Sequence, residues 1–247
     1  MRFLVVSDMH GNWSAFETVL TAFRPEEYDQ VLVLGDLVGY GARPNEIVEA
    51  VQALPEGTAI IRGNHDKVAS GIESDDGFNP AARLAALWTS QNLTPENLAY
   101  VRDLPQGPAQ PTDQITICHG TPHDEDAYVL SMEEALESFR SSDSRIILFG
   151  HTHVTSSFVL DSEQIEMRWG MKDGDVVKLD PEKRYLINPG SVGQPRDGDP
   201  LASCLTLDTE SQEATWHRLE YPIDLAQKRI LDADLPYFLA ERLESGV

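Results

Sequence analysis

The sequence predicts an α/β fold of two packed β-sheets flanked by helices. Three observations predict it. Short apolar runs alternate with amphipathic stretches up to about residue 150. After that point turn residues separate a series of short strand-like runs, so the chain is βαβα first and mostly β afterwards. Of its 247 residues 41% are hydrophobic, enough to bury a sizeable core, and we expect a single domain over residues 1–247.

Arg2 to Val6 is a continuous apolar strand. Trp13, Phe16, Val19, Leu20 and Phe23 recur at helical spacing. Val31 to Leu34 is a strand, and Pro44 to Leu54 a helix with proline in its first turn. Thr58 to Ile61 is a strand. Pro80 to Gln91 and Thr94 to Val101 are helices, the second opened by Thr94 and Pro95. Ile115 to Cys118 is a strand. Ser131 to Arg140 is a helix, with Ser131 and Glu134 spaced as a capping box. Ile146 to Phe149 is a strand. Six strands are then expected at Val154 to Leu160, Ile165 to Trp169, Val176 to Leu179, Tyr185 to Ile187, Ala202 to Leu207 and Ala214 to Leu219. Helical pattern returns near residues 224–243. It either packs on the core or forms a contact between copies of the chain, so a homo-oligomer is an expected partner state.

Composition narrows the function. The charge of −22, from 19 basic and 41 acidic residues, repels polyanions and anionic membranes. No nucleic-acid polymer and no membrane are expected as partners, but a small phosphorylated substrate held by metal remains open. No apolar run reaches the roughly 20 residues of a spanning helix. With two cysteines and no signal-like start, a reducing, cytoplasmic location is expected.

The residues able to bind metal or move a proton sit just past the strand ends. Asp8 and His10 come after the first strand, Gly35-Asp36 after the second, and Gly63-Asn64-His65-Asp66 after the third. His119 and Gly150-His151-Thr152-His153 come after the two later ones. Strand carboxyl ends converge on ligand sites in open parallel sheets. Asp8/His10 and His151/His153 are i, i+2 pairs, which share a side where the chain is extended. Any one histidine is ordinarily a packed or hydrogen-bonded ring. Five of the seven histidines falling in these strand-end motifs point instead to a metal site. Asp8 and Asp36 alone would read as turn or cap residues, and Asn64 as a left-handed turn residue.

These blocks, in this order over residues 8–153, resemble the calcineurin-like metallophosphoesterase superfamily. The Asp8-x-His10-Gly11-Asn12 opening and Asn188-Pro189-Gly190-Ser191 are similar to its small prokaryotic branch of YfcE-like phosphodiesterases. The resemblance implies a four-layer αββα sandwich with two mixed β-sheets. It implies two divalent metals, one held by Asp8, His10, Asp36 and His153, the other by Asp36, Asn64, His119 and His151. Such nitrogen and oxygen ligands suit Mn, Fe, Zn, Ni or Co, and manganese is favoured. The implied activity is hydrolysis of phosphate esters, with a metal-bridging hydroxide as nucleophile and His65 as general acid. Alternatives are a nucleotide-specific hydrolase of cyclic nucleotides or dinucleoside polyphosphates, and a non-catalytic scaffold, a reading that the intact ligand set disfavours.

The chain also departs from a related pattern. Protein serine/threonine phosphatases of the superfamily carry G-D-x-V-D-R-G where this chain has Gly35-Asp36-Leu37-Val38-Gly39-Tyr40-Gly41. The acid that orients the catalytic histidine there is Gly39 here, and the phosphate-binding arginine is Tyr40. The same departure argues against a close match to bacterial diadenosine-tetraphosphate hydrolases. What orients His65 is open, and phosphate would lean on the metals; Arg62 and Arg196 are candidates to help, although an arginine in a surface ion pair is the commoner role. Asp66 either orients an imidazole or caps a turn. His123 reads as part of a solvated acidic loop, Cys118 as a buried thiol, Trp13 as core and His217 as a strand residue.

Overall fold

A computed structural model describes residues 1–162 and 164–247. Among the described residues, twelve strands form two six-stranded sheets. In the first sheet β1 (Arg2–Val6), β2 (Gln30–Val33) and β3 (Ala59–Ile60) run parallel. That sheet continues antiparallel through β11 (Ala202–Asp208), β12 (Glu213–Leu219) and β9 (Val176–Lys178). In the second, β5 (Ile115–Ile117), β6 (Ile146–Leu148) and β10 (Arg184–Asn188) are parallel. They are flanked by antiparallel β4 (Ala109–Thr112) on one side and β7 (Ser156–Asp161) with β8 (Gln164–Trp169) on the other.

Alternation along the strands builds the layers. Phe3 and Val5 of β1 join Leu32, Ile117, Leu148, Ile187, Leu205 and Trp216 in a core shared by residues of both sheets. Leu4 and Val6 point the other way, into a core with Val19 of α1 (Trp13–Ala22) and Ile47 of α2 (Pro44–Gln52). On the outer side of the second sheet, Ile147 and Leu186 pack with Phe139 of α6 (Met132–Arg140). The result is helices, sheet, sheet, helix, the αββα sandwich expected. Strands covered on both faces explain the unbroken apolar runs in the sequence.

The capping box at Ser131 and Glu134 is present. The predicted C-terminal helix is two, α7 (Ile223–Asp232) and α8 (Tyr237–Ser245). Pro236, lacking a backbone N–H, stands at the start of the second. Both pack on the core through Ala226, Ile230, Leu239 and Leu243, while Tyr237 and Phe238 stay exposed. The strand at Ala109–Thr112 and the helix α3 (Asn64–Ser70) are absent from the sequence reading. α3 starts directly at a strand-end motif and is only 7 residues long, too short to display an apolar period. Helix α4 (Pro80–Asn92) and α5 (Pro95–Arg102) stand as expected. Among the described residues no helix is long and apolar enough to cross a membrane.

Candidate metal centre

The five strand ends meet, three from one sheet and two from the other. Asp8, His10, Asp36 and His153 are all buried and offer ligand atoms lying within 4.8 Å of one another. Asp36, His119 and His151 form a second such group, so Asp36 belongs to both. Asn64, the first residue of α3, places its Oδ1 3.2 Å from Nε2 of His119. It starts a helix and is not the left-handed turn residue that Asn after Gly63 allowed.

The paired ligands are not held by extended chain, as their i, i+2 spacing implied. Asp8, His10, His151 and His153 have φ of 56°, 46°, 64° and 59°, all left-handed. Asp36 shares this conformation, at 52°. Asp and His are among the residues that tolerate it, which explains why these tight turns need no glycine at each ligand. Space beside Asp36 does require glycine at position 63. A Cβ on Gly63 would lie 2.1 Å from Oδ1 of Asp36.

The surrounding chain fixes each ring. Nδ1–H of His10 donates to the Val38 carbonyl (3.1 Å), and that of His153 to the Gln194 carbonyl (2.6 Å). Their Nε2 lone pairs then face each other at 3.0 Å, a repulsive contact in the absence of a cation. Nδ1–H of His119 donates to the Leu34 carbonyl (2.8 Å), and Nε2–H of His151 to the Asp126 carbonyl (3.0 Å). Both oxygens of Asp8 and Oδ2 of Asp36 are buried without a hydrogen-bond partner. Such orphaned lone pairs, aimed at one another, fit divalent metal. Electrostatics agree. Burial pushes the Asp8 carboxyl up to about 7 against the pull of His119. Burial also works to raise Asp36, but His119, His65 and His10 hold it well below the usual range. Burial alone would lower His119, yet Asp36 drives it up to about 10. Protons thus settle on the cluster where a cation would otherwise balance charge.

The Asn188 to Ser191 loop supports these ligands from behind. Asn188 Nδ2 donates to the Gly150 carbonyl (2.7 Å) and to Thr152 (3.0 Å). The Ser191 hydroxyl donates to the Asp8 carbonyl (2.8 Å). Asn12 caps α1 and donates to the Gly193 carbonyl (2.8 Å), tying the first ligand loop to this one.

His65 lies beside the cluster, its ring 4.8 Å from that of His10, 4.3 Å from Tyr40 and 4.5 Å from Phe78. Its Nδ1 has no hydrogen-bond partner. Gly39, with φ of 92°, explains this: a Cβ there would lie 2.6 Å from that nitrogen. No side chain fits at position 39 to orient the ring, so aromatic packing holds it. Asp66 serves as a cap, accepting from the Gly63 N–H (2.9 Å) and the Val38 N–H (3.1 Å).

Arg62 is committed elsewhere, with two hydrogen bonds to Glu125. Arg196 lies over the Tyr40 ring and donates to Gln194 (2.9 Å). His123 is exposed and bonded to Ser141 (3.0 Å); Cys118 is buried, which pushes its thiol up. Trp13 is partly buried, and His217 on β12 pairs with Thr206 (2.9 Å). Sequence reasoning missed Lys67. It is 4% exposed, and its ammonium binds Asp126 (2.6 Å), Glu73 (2.7 Å) and Glu125 (3.2 Å). It anchors the loop whose Asp126 carbonyl holds His151. Lys67→Met is expected to cost about 1–2 kcal/mol in urea unfolding, discounted because two of the acids are half exposed. An unchanged midpoint would show the anchor to be idle.

The calcineurin-like phosphoesterase superfamily model matches residues 1–212, which contain all of these ligand candidates. The chain belongs to that superfamily. It is 36% identical over 245 residues to protein MJ0912 of Methanocaldococcus jannaschii, covering 98% of this chain and 97% of that one. A crystal structure of a metallophosphoesterase from Sphaerobacter thermophilus is similar, with a TM-score of 0.86 and 38% identity over 100% of this chain and 99% of that one. A symmetrical bis(5′-nucleosyl)-tetraphosphatase of Glaesserella parasuis is 28% identical over 122 residues, 48% of this chain and 44% of its own. Membership supports a hydrolase acting on small phosphate esters, and the buried Asp and His clusters suit a metal site.

Proposed function

We propose that this chain, as one unit over residues 1–247, is a dimetal hydrolase of phosphate esters. The facing Nε2 lone pairs of His10 and His153, beside the unpartnered carboxylate oxygens of Asp8 and Asp36, carry the reading. Asp8, His10, Asp36 and His153 would hold one ion, and Asp36, Asn64, His119 and His151 the other. Manganese is the favoured metal of the set that such ligands accept. When bound, the ions would supply positive charge to the phosphate oxygens and acidify water into a nucleophile near neutral pH.

The remaining roles fall to the chain. The carbonyls of Val38, Leu34, Gln194 and Asp126 fix the tautomer of each ligand histidine, so the nitrogen facing the cluster is the free one. His65 is the general acid for the leaving oxygen. Burial lowers its pKa to about 4, so its proton arrives with the anionic substrate, whose charge favours the imidazolium. Tyr40 and Phe78 hold its ring in place.

The test is hydrolysis of bis-p-nitrophenyl phosphate and p-nitrophenyl phosphate by metal-stripped protein, with and without Mn²⁺. Manganese-dependent release of nitrophenol is expected. No release with any divalent metal would count against catalysis and favour a scaffold of the same fold. A second readout needs no turnover. Mn²⁺ at about a hundred times its dissociation constant stabilises by about 2.7 kcal/mol per site, raising Tm by roughly 5–10 °C. A melting curve indifferent to every divalent ion would show that the cluster binds none.

A further inference from the structure

A cleft of about 270 Å³ opens onto Asn64, His65 and His151. Tyr40, Phe78 and Tyr128 form part of its wall. Phe78, from the segment between α3 and α4, packs on His65 at 4.5 Å. Tyr128, from the loop before α6, stacks on His151 at 4.1 Å and 20°, yet remains 46% exposed. A large aromatic ring left this open beside a catalytic cluster has a free face for a ligand.

Charge in the cleft is one-sided. Glu73 and Asp126 line it, and no Lys or Arg does among the described residues. The nearby cations are taken: Lys67 by three carboxylates and Arg62 by Glu125. Arg196 lies over the ring of Tyr40. Glu73 and Asp126 are themselves paired with Lys67, but with Glu125 the group sets three acids against the two bases Lys67 and Arg62, so a second anionic group on the substrate would meet a wall of net negative charge.

We propose that the cleft is the leaving-group subsite for a flat, uncharged aromatic ring the size of a nucleobase, and that Phe78 and Tyr128 determine this specificity. The inference rests on the phosphoesterase reading and deepens it. In the reaction, the water oxygen bonds to phosphorus and the bond from phosphorus to the ring-bearing alcohol breaks. That alcohol's oxygen leaves with a proton. His65 stands on this side of the cleft, packed on Phe78, where a leaving oxygen would place its substituent against the ring.

The test is calorimetric titration of Mn²⁺-saturated protein with three phosphate monoesters. They are UMP, ribose 5-phosphate (the ring removed) and orotidine 5′-phosphate (the same ring with a carboxylate). UMP is expected to bind about tenfold tighter than ribose 5-phosphate, as stacking on an aromatic residue provides. Orotidine 5′-phosphate is expected to bind more weakly than UMP. In Phe78→Leu and Tyr128→Leu the ratio of UMP to ribose 5-phosphate affinity should fall toward one. Equal binding of UMP and ribose 5-phosphate by the wild type would overturn the proposal alone. So would a uniform loss for both ligands in the variants, or orotidine 5′-phosphate matching UMP. Binding of none of the three would overturn the proposal, whereas the phosphoesterase reading stands or falls on the nitrophenyl ester assay.

Discussion

Asp36→Asn is expected to lower kcat/KM for bis-p-nitrophenyl phosphate by roughly a thousandfold, about 4 kcal/mol of transition-state stabilisation. Asp36 is the residue common to both ligand groups. Its Oδ1 accepts from the backbone N–H of His65 at 2.8 Å, while its Oδ2 has no hydrogen-bond partner. That oxygen stands 3.4 Å from Nε2 of His10 and 3.4 Å from Nε2 of His119. Asparagine keeps the shape and can keep the first contact, so the fold should survive. It removes the charge between the two groups, and with it the reason for two cations to sit close together. Metal content after dialysis against Mn²⁺ should fall along with activity, and the metal-dependent rise in Tm should shrink. Full metal content with full activity would remove Asp36 from the site.

His65→Gln separates binding from proton transfer. With the metal ligands untouched, metal content and the thermal shift should match the wild type. Turnover of an alkyl ester, whose leaving oxygen needs a proton, should fall by about 10²–10⁴. Turnover of a nitrophenyl ester, whose leaving group departs as an anion, should fall much less. An equal loss on both esters would mean that His65 positions the substrate and donates nothing. Glutamine suits the test because it fills part of the space among Tyr40, His10 and Phe78, where alanine would leave a hole.

Most of the fold is legible in the sequence because both sheets are covered on both faces. The strands therefore stand out as apolar runs, as at Phe3 to Val6 and Ile146 to Leu148. The ligand candidates are legible because each comes directly after such a run. Conformation within the turns is not. Spacing of two residues looks the same in a strand and in a left-handed turn, so the pairs Asp8/His10 and His151/His153 suggest extended chain where the backbone is left-handed. Residues acting through tertiary contact are also hidden. Lys67 is one lysine directly after the Gly63-Asn64-His65-Asp66 motif, and nothing local shows that three acids from two other segments surround it. Phe78 and Tyr128 leave a faint signal, single aromatic residues in polar loops, which becomes informative only when the loops are seen to face one cleft.

The left-handed backbone at the ligands has a consequence for descent as well as for chemistry. Among the described residues, nine non-glycine positions have positive φ, and six of them are Asp8, His10, Asp36, Tyr40, His151 and His153. Each carries a backbone cost of about 1–2 kcal/mol, reduced for Asp and His. A lineage released from selection for hydrolysis would gain stability by replacing these residues with glycine or asparagine. Decay of the site would run downhill thermodynamically, erasing the ligands before the sandwich that carries them. On the proposed function, the full set of histidines and aspartates at these positions is what selection for hydrolysis would have to hold against that gradient.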